Sequence, residues 1–350
     1  MNKLLKHLTD WGHWPFLLFY APLLGAWCWY GIKSRAFWFF TPSNPTIRFG
    51  GFEGESKTEL YEQLPPQLYP KTVLVPPSAS MEEVLQKVAQ QSIAYPFIVK
   101  PNVGMKGILF RKIENEQQLQ HYHRHMSADY LVQEWINLPL EVSVFYCRLP
   151  GSPKGTITAF IQKDLLEVTG NGTSTLSELI HQHPHAAAWL AEIKQQQGYN
   201  LHKVLPPGQR FYLSHVGNRL HGATFVNLAH HITDNLVQLF DRISHSGSFY
   251  FGRYDIKCAS VEDMEEGRNF SILEFNGAGS IPNHVYTGDY TLRQAYREIL
   301  KHWQWLYRIS RCNYKKGIAY WSFWKGYGFL KKSKQHFNRL KQLDKELMLP

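Results

Sequence analysis

The chain has 350 residues, 44% of them hydrophobic, and a net charge of +10. That length supports a large core divided into two or three subdomains. Its four cysteines, Cys28, Cys147, Cys258 and Cys312, are far apart and form no CxxC pair, which excludes a disulfide framework or a zinc ribbon and fits a reducing compartment.

The first feature in chain order is Trp14–Ile32, WPFLLFYAPLLGAWCWYGI, which has no formal charge over 19 residues. Its length just suffices to span a bilayer. Its two prolines and seven aromatics are more typical of a membrane interface. The run is long for a signal peptide and no small-residue cleavage site follows it. The expectation is a segment, residues 1–45, that lies on or dips into a membrane; a span comes second and a helix buried in the core third. NPTIRFGGFEGESK (44–57) is turn-rich and opens the folded body.

Residues 57–61 then read as a short helix, 72–75 as an apolar strand, and 81–91 as an amphipathic helix with Val84, Leu85 and Val88 on one side. In YPFIVKPNVGMKG (95–107), a buried strand ends at Lys100, and Gly104 and Gly107 allow a tight loop over phosphates. The spacing is not that of a P-loop, and taken alone it also describes an ordinary β-turn. The helix 114–125 carries His121, His123 and His125. Residues two apart on a helix diverge, so these read as surface residues and not as a metal set, as do His181, His183 and His185.

LVQEWINLPLEVSVFY (131–146) is an apolar strand carrying Glu134, a break at Pro139, and a new alternating strand. Such a kinked connection can offer backbone groups to an adenine edge, with Glu141, seven residues beyond Glu134, for the ribose hydroxyls; a plain core strand is the alternative. EVTGNGTSTLSELI (167–180) is a turn followed by a helix capped at Ser174 or Thr175 with Glu178 as partner. Residues 232–243 form an amphipathic helix.

GRYDIKCASVEDMEEGRNFSILEFNGAGS (252–280) reads as two alternating strands. Alternation puts Arg253 and Asp255 on one face of the first strand, and Glu274 and Asn276 on one face of the second. Paired antiparallel, they gather two carboxylates, an amide and an arginine. Hard Mg²⁺ accepts such oxygens, and an arginine grips phosphate or an oxyanion. The same alternation is also compatible with a solvent-facing hairpin.

GRYDI…ILEFNGAGS resembles the GRIDV…LLEAN…PG end of D-alanine–D-alanine ligases and, more broadly, the ATP-grasp superfamily. The resemblance implies that Asp255, Glu274 and Asn276 hold two Mg²⁺ (or Mn²⁺) ions and that Arg253 contacts the reacting phosphate and oxyanion. It implies that Lys57 and Lys100 meet the nucleotide phosphates under the Gly104–Gly107 loop, Lys71 being the competitor for Lys57. Adenine binding falls to Glu134, Trp135 and Ile136, and ribose binding to Glu141. TGNGTSTLSELI is similar to an element of cyanophycin synthetases. The sequence departs from the family where Gly279 and Ser280 replace a proline–glycine pair, and where Lys203, Arg210 and Arg219 compete for the γ-phosphate.

The tail, 291–350, carries fourteen Lys and Arg against three Asp and Glu, with aromatics interleaved. With the aromatic N-terminus, this favours an anionic membrane surface over nucleic acid. The resemblance implies an α+β ATP-grasp domain over 46–290, divided into 46–134 and 135–290. It implies a ligase that activates a small-molecule carboxylate as an acyl phosphate for an amine or thiol; the aromatic N-terminal region and the basic tail are what point to the cytoplasmic face of a membrane. A kinase of the same superfamily and a non-enzymatic ATP-binding protein are the alternatives.

Overall fold

Two antiparallel sheets and the helices packed on them give an α+β architecture, seen in a computed structural model that describes residues 11–183, 186, 193, 201–217 and 219–347. Residues 1–10 of the N-terminal segment, 348–350 of the tail, and His185 lie outside the described residues. In the first sheet β1 (Thr72–Val75), β2 (Phe97–Pro101), β3 (Arg111–Ile113) and β4 (Tyr130–Glu134) take the order β1-β4-β2-β3. In the second, β5 (Leu140–Cys147), β6 (Thr156–Asp164), β9 (Thr224–Asn227), β10 (Phe251–Cys258) and β11 (Phe270–Asn276) take the order β11-β10-β5-β6-β9. A ribbon pairs β7 (Glu167–Thr169) with β8 (Arg210–Tyr212).

The helices are α1 (Phe16–Tyr20), α2 (Leu24–Ser34), α3 (Lys57–Tyr61), α4 (Met81–Gln90), α5 (Glu116–His125), α6 (Leu176–Gln182), α7 (Asp234–Ser246), α8 (Val261–Glu265), α9 (Leu292–Lys315) and α10 (Phe323–Glu346). Helix α4 starts at a capping box: Ser80 accepts from the Glu83 N–H and Glu83 returns a bond to the Ser80 N–H. Its Val84 and Val88, four apart, share one face and pack with Leu119 and Tyr122 of α5 onto Val75, Phe97, Val99 and Val132. Helix α7 lays Leu236, Leu239, Phe240 and Ile243 on Val142, Val144, Tyr254 and Ile256 of the second sheet. The opposite face of that sheet is thereby left to the polar side chains of β10 and β11.

The ends of the chain are built into these cores. Phe39, Phe40 and Phe49 are buried with Phe145 and Phe251 of the second sheet and with Leu306 and Ile309 of α9. Phe337 and Leu340 of α10, and Leu347 just after it, complete the core of the first sheet. Buried Asn44 fixes the crossing: its Nδ2 donates to the Gly50 and Phe251 carbonyls, and its Oδ1 accepts from the Tyr250 and Phe251 N–H groups. Among the described residues no helix is long and apolar enough to cross a membrane. Helix α2 has 11 residues, about 16 Å, against a hydrocarbon core of about 30 Å.

Two glycines of α10 test this docking. A Cβ on Gly326 would sit 2.3 Å from Trp38 Nε1, whereas one on Gly328 meets nothing within 4 Å. Gly328→Ala is expected to raise stability by up to ~1 kcal/mol through helix propensity. Gly326→Ala is expected to lower it by about 1–3 kcal/mol through overpacking. Denaturant midpoints of the two variants check this; equal midpoints would mean that α10 does not pack on Trp38.

Candidate active site

A cavity of about 600 Å³ lies between the sheets. The polar face of the second sheet forms its floor because β10 pairs antiparallel with both neighbours. Arg253 stands opposite Asn276 and Asp255 opposite Glu274 on β11, while Asp255 faces Ser143 and Lys257 faces Glu141 on β5. Residues opposite each other in a ladder point to the same side, so all of these side chains converge.

At the centre is a buried charge network. Asp255 Oδ1 accepts from Arg253 Nε at 3.0 Å, from Lys163 Nζ at 3.0 Å and from the Ser143 hydroxyl. Its Oδ2 accepts from Arg253 Nη2 at 3.1 Å and Asn276 Nδ2 at 3.2 Å. Lys163, on β6, also reaches Glu141 Oε1 at 3.2 Å. Burial by itself would raise the Asp255 pKa; Arg253 and Lys163 outweigh it and hold the carboxyl well below its usual range. Burial would likewise lower Lys163, and Asp255 and Glu141 outweigh that and raise it. Asp255 and Lys163 therefore each favour the charged form in the other's presence.

Two lysines reach in from outside the second sheet, Lys57 at the start of α3 and Lys100 on β2. Lys57 Nζ donates to the Gly104 carbonyl at 2.8 Å and lies 3.5 Å from Glu274 Oε1. Lys100 Nζ reaches Tyr61 Oη at 3.4 Å and the Leu273 carbonyl at 3.5 Å. Burial lowers the Lys100 pKa to about 8 against the pull of Glu274. The loop after β2 turns through Gly107 (φ +74°), where a Cβ would meet Val216 at 2.9 Å; Gly104 has no positive φ, and a Cβ there would lie 3.1 Å from Pro101 Cβ.

Trp135 and Ile136 line the cavity beside Gln133. The ammonium groups of Lys112 and Lys257 each lie 5.2 Å from the Trp135 ring centre, and His215 meets that ring edge-on at 5.1 Å. Burial and those two lysines lower His215 to about 4, so it is neutral at pH 7. Glu134 bonds back across the sheet edge: its N–H donates to the Lys71 carbonyl at 2.9 Å. Lys71 is exposed at the start of β1. Glu141 borders the cavity but is buried, committed to Lys163, and covered so closely by Gly217 that a Cβ there would lie 2.0 Å from its Oε1.

Of the three basic residues weighed for the γ-phosphate, Arg219 lines the cavity. Arg210 forms an exposed pair with Glu167 at 2.8 Å, and Lys203 is exposed beside α6. The Ala278 and Gly279 N–H groups donate to the Gly50 and Gly51 carbonyls. The Ser280 N–H donates to the Gly277 carbonyl, so the backbone donors of 278–280 are taken up within the protein. Helix α5 does not assemble its histidines: His123 bonds Tyr130 Oη and the Ala79 carbonyl, while His125 bonds the His121 carbonyl.

Lys163 and Lys257 were missed in the sequence reading. Lys257 shares the i, i+2 alternation of Arg253 and Asp255 and was visible there. Lys163 becomes apparent only when β6 is paired beside β5. Replacing Lys163 by Met leaves Asp255 and Glu141 buried with one cation, and is expected to cost about 3–5 kcal/mol. Lys163→Met/Glu141→Gln is expected to recover part of it. Because Asp255 titrates below its ordinary range, its contribution is complete above about pH 4 and lost as the pH falls further. Urea unfolding at pH 7 and pH 3 checks both. Equal stability of Lys163→Met and the parent would remove the network.

No family model matches the chain. A cyanophycin synthetase of Synechocystis sp. is 25% identical over 228 residues, covering 59% of this chain and 25% of that protein. The chain thus spans about a quarter of the length of this curated relative. Among solved structures, D-alanine–D-alanine ligase of Bacillus anthracis superposes with a TM-score of 0.41 at 10% identity, over 75% of this chain and 68% of that one. VanG D-Ala:D-Ser ligase of Enterococcus faecalis gives 0.40 at 12%, over 72% and 61%. The chain resembles the ATP-grasp superfamily.

Proposed function

We propose that the protein is an ATP-dependent ligase that joins a carboxylate to an amine or thiol through an acyl phosphate. One observation carries this reading. Lys57 of α3, Lys100 of β2, Arg253 of β10, and Glu274 and Asn276 of β11 line one cavity. Cations on one side and oxygen donors on the other suit a bound triphosphate. The substrate carboxylate oxygen attacks the γ-phosphorus, and the bond to ADP breaks. An amine then attacks the acyl carbonyl, phosphate leaves, and the nitrogen loses a proton. Arg253, held by Asp255, stabilises the oxyanion. Lys57 and Lys100 exchange their present carbonyl and carboxylate partners for phosphate oxygens.

For a divalent cation the donor set is partly committed. Among the described residues no group of three or more His, Cys, Asp or Glu is arranged to hold a metal, and both Asp255 oxygens already accept from Arg253. Glu274, about one-third exposed, and Asn276 Oδ1 are the oxygens that fit Mg²⁺ or Mn²⁺, with Asp255 as anionic support. A cation there supplies neutralisation of the phosphate oxygens.

With hydroxylamine as acceptor, ATP and a carboxylate are expected to yield a hydroxamate. Glu274→Gln is expected to lower that yield at least about 100-fold at unchanged stability. For free enzyme, kcat/KM for ATP is expected to fall as the pH rises through about 8, because Lys100 loses its proton, and Lys100→Arg is expected to remove this limb. A stable phosphorylated product without hydroxamate would transfer the protein to the kinases.

The protein also docks on an anionic membrane surface at its cytoplasmic side. Leu17, Ile32, Phe37 and Trp324 are each more than 60% exposed, and the Phe37 and Phe323 rings, 5.4 Å apart, join the end of α2 to the start of α10. Beside them lies a hollow lined by Lys33, Arg35, Arg311 and Lys315, with no acidic residue in its lining. Apolar insertion and cationic contact together give stable attachment where either alone is marginal. In sedimentation with anionic liposomes the parent chain is expected to pellet at low salt. Ile32→Ser/Trp324→Ser is expected to weaken this at least about tenfold. A parent chain that stays in the supernatant removes the docking surface.

A further inference from the structure

The cavity that holds the charge network continues into an aromatic chamber built by the N-terminal segment. Trp11, Trp14 and Phe16 line the same space as Arg253 and Glu274, together with Phe225 and Tyr286. The connection runs through the loop after β11: Arg253 Nη1 donates to the Ile281 carbonyl at 3.2 Å. A few residues on, Tyr286 lies 5.7 Å from Trp11 and 6.2 Å from Phe19, ring to ring. The Arg219 guanidinium lies 4.5 Å from the Tyr286 ring centre. At the rim Phe16 is 63% exposed, and it is followed by Leu17 at 81% and Leu18 at 55%.

We propose that this chamber is the acyl-acceptance subsite and that its substrate is a long-chain carboxylic acid, the tail lying along Trp11, Trp14, Phe16 and Tyr286 and the carboxylate at Arg253. This rests on the ligase reading above and names its acid. A small polar acid would leave the aromatic wall wet, whereas an acyl chain removes it from water. The cationic groups Arg253, on the polar floor, and Arg219, over the Tyr286 ring, favour a carboxylate over an ammonium headgroup. The exposed Phe16–Leu18 rim lies on the same N-terminal segment as the proposed membrane face, where such acids partition. The carboxylate oxygen takes the γ-phosphoryl group from ATP, ADP leaves, and the acyl phosphate gives its acyl group to an amine with loss of phosphate.

The test uses the full-length chain with ATP, Mg²⁺ and hydroxylamine, and straight-chain acids from acetate upward, each below its micelle concentration. Hydroxamate kcat/KM is expected to rise up to about fourfold per added methylene, the value for full burial, and then to level off once the wall is filled. Phe16→Ser and Trp14→Ser are expected to flatten that dependence. Saturable quenching of tryptophan fluorescence by the same acids reads the subsite without turnover. Equal kcat/KM for acetate and long-chain acids, or a chain-length dependence untouched by both variants, overturns the subsite while leaving the ligase reading intact. Chain-length-dependent quenching with no hydroxamate from any acid upholds the subsite and sinks the ligase reading.

Discussion

The buried hydrogen-bonded network of Asp255, Arg253, Lys163 and Glu141 is the constraint around which the second sheet is arranged. A carboxylate at the centre of a sheet is costly to bury unless it is paired and fully hydrogen-bonded. Asp255 meets that condition with donors from four strands: Arg253 on its own strand, Asn276 on β11, Ser143 on β5 and Lys163 on β6. The register of those strands is therefore coupled to one side chain. A slip by one residue would turn the charges into the packed face under α7 and the apolar residues into the cavity.

The two sheets meet across this floor through long side chains. Tyr61 donates to the Leu273 carbonyl of β11, and Gln133 of β4 donates to Tyr61 Oη at 3.1 Å. Lys100 leans from β2 of the first sheet, and Lys57 from the start of α3, toward β11 in the same way. The cations therefore sit on the boundary between the two halves, where a phosphate chain would touch both.

Backbone contacts set the far wall. The loop Gly277–Gly279 runs against Gly50–Phe52 so closely that a Cβ on Gly277 would sit 2.5 Å from the Gly50 carbonyl, and one on Gly279 would sit 1.9 Å from that of Phe52. Glycine is needed at both places for lack of room. The contact draws the N-terminal aromatics onto the loop that Arg253 holds from the other side. The polar floor and the aromatic chamber line one continuous cavity.

Local patterns carried much of this. Period-two alternation in GRYDIKCA and SILEFN put Arg253, Asp255, Glu274 and Asn276 on the faces they occupy, and the spacing of Val84 and Val88 announced α4. Both follow from the geometry of a single strand or helix. What no local pattern could determine was which strands lie side by side. Lys163 enters the floor because β6 pairs with β5, and Glu141 is covered because Gly217 crosses it. Phe39, Phe40 and Phe49, and Phe337 and Leu340 of α10, join the cores because their side chains meet apolar sheet faces that residues distant in sequence leave uncovered. The sequence determined the chemistry of each strand; long-range pairing alone decided which charges meet, since the energy of a buried ion depends on its neighbours in space and not along the chain.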